Sequence, residues 1–137
     1  MRISSRCEYG LRAMIFLASH ETGRPVPLTE IAGREAIPAA FLERIMARLR
    51  DRGLVATTRG AAGGYRLARD ARRISVADIM TAIEGPLALV GCLPDAEACE
   101  RSDGCASRAV WRRLDDAISG ALGAISLAEL ARDAVPT

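Results

Sequence analysis

The sequence predicts a mainly α-helical fold with a small β-hairpin wing: a winged helix-turn-helix followed by a C-terminal helix for pairing subunits. Three observations predict it. Residues 28–35 and 38–52 read as two short helices joined by a tight turn, the second basic on its free face. A glycine-turned hairpin, LVATT-RGAAGG-YRLA, follows at once from Leu54 to Ala68. A segment rich in cysteines and carboxylates, Gly91 to Cys105, then separates this module from a long amphipathic stretch over residues 107–122.

Along the chain, residues 7–20 carry Tyr9, Leu11, Met14, Ile15 and Ala18 at helical spacing. ETGRPVP breaks that pattern with a glycine and two prolines. The next helix, Leu28 to Glu35, turns Leu28, Ile31 and Ala32 inward. Pro38 suits the first turn of the helix after it, whose apolar stripe is Phe41, Leu42, Ile45, Met46 and Leu49. The opposite face shows Ala40, Glu43, Arg44, Ala47, Arg48 and Asp51, and Gly53 supplies a left-handed stop. A hairpin placed directly after such a helix is a wing, and Arg59 sits near its tip, where arginine can enter a narrow minor groove. The polar run RDARR precedes a helix capped by Ser75 and Asp78, with Val76, Ile79, Met80 and Ile83 inside. Gly85-Pro86 ends it. Beyond the cysteines, Val110, Trp111, Leu114, Ala117, Ile118, Ala121 and Leu122 form a broad apolar face that needs cover, from a second copy of the chain or from its own domain. Asp115 and Asp116 read as solvated, and Ser126 with Glu129 caps a last short helix. The division expected is a DNA-binding domain over residues 1–85, a cysteine loop over 86–106, and a pairing helix with its tail over 107–137.

At 137 residues, half of them hydrophobic and 26% charged, the chain is of globular class with a modest core. No apolar run is long enough for a membrane span, and the N-terminal MRISSRCEYGLR lacks the features of a secretion signal. A cytoplasmic protein is expected. Charge is divided unevenly. Residues 1–85 hold fourteen arginines against nine acids, a balance of +5, and residues 86–137 hold five against eight, a balance of −3. A basic N-terminal portion suits a polyanionic partner such as double-stranded DNA.

Cys92, Cys99 and Cys105 fall at intervals of six and five intervening residues, with Pro94, Gly104 and four carboxylates among them. That composition favours an exposed loop. In a reducing compartment, clustered thiols point to metal ligation or redox sensing rather than structural disulfides. Zinc sites favour closer pairs, so the wide intervals suit a centre larger than one ion. His20, the only histidine, stands where a helix C-cap is expected.

Taken together, MRISSRCEYGLRAM, FLERIMARLRDRGLVATTRGAAGGYRL and the three-cysteine loop leading to Ala109-Val110-Trp111 resemble the iron–sulfur-cluster-sensing winged-helix transcriptional regulators, of the IscR, NsrR and RirA kind. The resemblance implies a homodimer on a partly palindromic operator. In it Glu43, Arg44 and Arg48 enter the major groove and Arg59 reaches the minor groove, roles that match base-edge and phosphate chemistry. It also implies that Cys92, Cys99 and Cys105 hold a [2Fe–2S] or [4Fe–4S] cluster with one coordination position left open. The histidine that some relatives carry after the third cysteine is absent, since Ala106, Ser107 and Arg108 stand there. Other relatives use a carboxylate near the start of the first helix, supplied by the partner subunit. Glu8 stands at that place, and Cys7 competes with it; neighbours on a helix point about 100° apart, so one of the two faces the cluster.

Two other readings remain beside a cluster-dependent regulator: a metal-free thiol redox sensor acting on DNA, and a small iron–sulfur electron carrier or scaffold. The complete basic winged helix argues against the last. No nucleophile–base–orienter set and no phosphate-binding motif is present, so an enzyme is not expected.

Overall fold

The computed structural model describes residues 3–86 and 106–134, which form six α-helices and one two-stranded hairpin. Helix α1 (Ser5–Ser19) begins at Ser4, whose hydroxyl accepts from the Cys7 amide at 3.2 Å. It ends at His20, whose amide donates to the Phe16 carbonyl and whose ring stacks on Phe16. The expected C-cap role for His20 holds. The expected apolar face does not hold in full. Met14 is buried, but the other buried positions are Cys7, Gly10, Ala13, Phe16 and Leu17, while Tyr9, Leu11, Ile15 and Ala18 pack around the rim. The reason is that α1 is central, packed by helices on several sides and by the hairpin, so a single stripe cannot describe it.

Helix α2 (Leu28–Glu35) and helix α3 (Ala39–Asp51) form the helix-turn-helix. The turn places Ala36 in the left-handed region with φ 53°, and the Ile37 amide reaches back to the Ala32 carbonyl at 2.9 Å. Helix α3 buries Leu42, Ile45, Met46 and Leu49, as its periodicity predicts. It closes on a Schellman motif: Gly53 at φ 73° donates to Arg50, and Leu54 donates to Leu49.

The wing is strand β1 (Val55–Thr58) paired antiparallel with β2 (Gly64–Leu67), Val55 opposite Leu67 and Thr58 opposite Gly64. A third backbone segment joins it. Val26 and Tyr65 exchange two backbone hydrogen bonds of 2.8 Å, which tie the hairpin to the segment leading into α2. Residues 71–73 of the RDARR run form one 3₁₀ turn, capped by the Asp70 carboxylate.

Helix α4 (Val76–Glu84) carries the expected capping box between Ser75 and Asp78. Helix α5 (Ala106–Ala124) has no buried residue, but its half-buried positions Arg108, Asp115, Ile118 and Leu122 mark one face. The broad apolar face is thus divided: Ile118 and Leu122 are partly covered, and Val110, Trp111 and Leu114 are 56%, 39% and 43% exposed. Asp115 departs from the solvated role expected of it. One of its carboxylate oxygens is out of solvent and has no hydrogen-bond partner among the described residues.

Helix α6 (Leu127–Asp133), capped by Ser126 and Glu129, packs on α1 and the 3₁₀ turn. Leu127 is fully buried in the hydrophobic core that α1 to α4 share. Backbone bonds from Val76 to Ile125 and from Leu127 to Ile74 stitch the two stretches together at 3.0 and 2.7 Å. The core built by α1 to α4 therefore includes a residue from the far end of the sequence.

Candidate nucleic-acid interface and cysteine-bearing segment

Once the inner stripe of α3 is locked in the core, its other face is fixed outward, and Glu43 and Arg44 are exposed there. Arg48 lies one turn on. Its guanidinium donates to the Ile83 carbonyl at 2.8 Å, an acceptor in the last turn of α4. That bond uses one of five donors, so Arg48 braces α4 and still has hydrogen-bonding capacity toward solvent. Arg59 follows β1 at the hairpin turn and is exposed.

Sequence reasoning missed a second group. Arg6 pairs with the Glu84 carboxylate at 3.1 Å, and the Ser4 hydroxyl donates to the same carboxylate. The partners are 78 and 80 positions apart, so only the fold brings them together. Ser4, Ser5 and Arg6 share an open groove of about 490 Å³ with Phe41, Arg44, Ile45 and Arg48 of α3. Three arginines thus line one concavity beside the helix that faces outward.

The two candidates for the fourth cluster ligand are separated by burial. Cys7 is 3% exposed and turned into the core, and Glu8 beside it is exposed. Burial pushes the Cys7 thiol up from its ordinary value, and the negative field of Glu84 adds to that, against the hydrogen bond with Ser4 and the charge of Arg6. A neutral inward thiol is a poor ligand. The outward carboxylate of Glu8 is an oxygen donor open to solvent, and with the three cysteines of the sequence the donor types present fit an iron–sulfur cluster. Cys92, Cys99 and Cys105 lie outside the described residues. Among the described residues no three His, Cys, Asp or Glu side chains converge as a metal site, and no helix is long and apolar enough to cross a membrane.

Comparison with known proteins places this geometry. The Rrf2 family model, described as an iron-dependent transcriptional regulator, matches residues 3–133. The chain is 41% identical over 133 residues to the HTH-type transcriptional regulator IscR of Xenorhabdus nematophila, covering 97% of this chain and 80% of that one. Among solved structures, IscR of T. potens superposes with a TM-score of 0.79 at 36% identity, covering 98% of this chain and 89% of the other. CymR, the global cysteine regulator of B. subtilis, superposes with a TM-score of 0.81 at 35% identity over 98% and 99% of the two chains. A winged helix with an outward charged helix, its wing and the match across nearly the whole chain lead to one conclusion: this protein belongs to the Rrf2 family of iron-dependent transcriptional regulators.

Proposed function

We propose that the chain is a homodimeric, DNA-binding transcriptional regulator whose operator affinity is set by an iron–sulfur cluster. Cys92, Cys99 and Cys105 are the thiolate ligands, and Glu8 from the second copy of the chain is the fourth. When bound, such a cluster supplies a redox-active centre, and an oxygen ligand exchanges more readily than a thiolate. The observation that carries the reading is the opposite fate of two neighbours on α1: Cys7 buried and neutral, Glu8 exposed. It supports three cysteines and one carboxylate as the donor set.

On the DNA side, Glu43 accepts from a cytosine amino group, Arg44 and Arg48 contact guanine or phosphate, and Arg59 enters the minor groove. Val110, Trp111 and Leu114 on α5 supply the apolar surface by which two subunits pair, as their exposure supports. The test is anaerobic reconstitution with iron and sulfide, read by visible spectroscopy, with a gel shift on an operator selected from a duplex library. Coloured protein with iron-dependent affinity is expected. A colourless protein whose binding ignores iron refutes the sensing role.

A further inference from the structure

We propose that Arg6 is a DNA-phosphate contact and that Glu84 is the residue that positions it. The inference rests on the DNA-binding reading and extends it beyond α3 and the wing. Arg6 opens α1, on the rim of the groove that it shares with Arg44 and Arg48. A duplex read by the outward face of α3 brings its sugar–phosphate backbone past that rim. Three arginines in one concavity, beside the positive end of a helix of 15 residues, make a seat for a phosphate oxygen.

Arginine has a long, entropically costly side chain, and Glu84 holds it in place. The Glu84 carboxylate takes Nη2 of Arg6 at 3.1 Å and also accepts from the Ser4 hydroxyl, which itself caps α1. The remaining donors of the guanidinium are left for a ligand. Arg48 is braced on the Ile83 carbonyl, one residue away. The last turn of α4 therefore sets the placement of two of the three arginines, and it stands eight residues before Cys92 in the sequence.

The test uses the full chain, reconstituted with iron and sulfide, in anisotropy titrations across a salt series. Each variant is measured on the selected operator duplex and on a scrambled duplex of equal length. Arg6→Gln is expected to weaken both by a similar factor, about tenfold, the worth of one charge-assisted hydrogen bond. It should also lower the slope of log K against log salt by about one per subunit. Arg6→Lys should keep the slope and recover part of the affinity. Glu84→Gln should weaken binding in the wild-type background and change nothing further in Arg6→Gln, because it acts through Arg6. An unchanged salt slope in Arg6→Gln overturns the phosphate contact. Equal losses from Glu84→Gln in both backgrounds overturn the positioning role and leave Glu84 as a support for α4. Wild-type protein that binds neither duplex defeats the DNA-binding reading itself, a result distinct from the other two. Arg6 is 45% exposed, so its replacement leaves the core intact.

Discussion

Gly64→Ala will detach the wing from the body of the domain. A Cβ at Gly64 points into the carbonyl group of Val26 and the nitrogen of Pro27, all backbone atoms that no rotamer change can move aside. Gly64 also sits at φ 156°, which side chains rarely adopt. The hairpin must swing away and lose the two 2.8 Å hydrogen bonds between Val26 and Tyr65. Two backbone hydrogen bonds are worth about 1–3 kcal/mol net. Residual backbone strain adds about 1 kcal/mol, so the total is about 2–4 kcal/mol against a domain stability of roughly 5–15 kcal/mol. Urea unfolding followed by far-UV circular dichroism measures it, and with a slope of about 1–3 kcal/mol per molar the midpoint should fall by about 1 M or more. Gly60→Ala is the control, because it has positive φ but open space around its Cβ, and it should cost the backbone strain alone. If Gly64→Ala and Gly60→Ala unfold at the same midpoint, the close approach to Val26 is not what anchors the wing.

Leu127→Ala should destabilise the DNA-binding module by about 2–5 kcal/mol, the cost of truncating a fully buried leucine, read in the same unfolding assay. Leu114→Glu on the exposed face of α5 should shift the protein toward monomer in sedimentation equilibrium while leaving its helical content intact. Cys99→Ala should abolish the visible spectrum of reconstituted protein; Cys7→Ala should retain it, since that thiol faces the core. Hydrogen bonds from Arg72 hold Asp70 at a pKa of about 2, below the ordinary 3.8. A depressed carboxylate contributes stability that is present above about pH 4 and lost as pH falls toward 2, so Asp70→Asn should flatten the acid limb of the stability profile in that window.

Much of this was legible in the chain because it is local. The stripe of α3, the capping boxes at Ser75 and Ser126 and the left-handed stop at Gly53 each depend on residues within one or two turns. Ala36 gave no such signal, since its left-handed turn is occupied by a residue with no preference for it. What the chain hid is what depends on distant partners. Arg48 reads as a free DNA contact until Ile83 is seen beneath it, and nothing near Arg6 announces Glu84. The inward faces of α1 escaped periodicity because neighbours surround it. That Cys7 is buried while Glu8 beside it is exposed is likewise set by the fold and not disclosed by their adjacency on one helix.

The seam where Ser75 and Ser126 pair has an architectural consequence. α4 and Leu127 both belong to one hydrophobic core, and backbone bonds at Val76–Ile125 and Leu127–Ile74 join them, so the sequence between them is fixed to that core at both ends. Exchanging this stretch between relatives thus means replacing a cassette at two joints, and cutting the chain after α5 removes Leu127 from the core instead of shortening a tail.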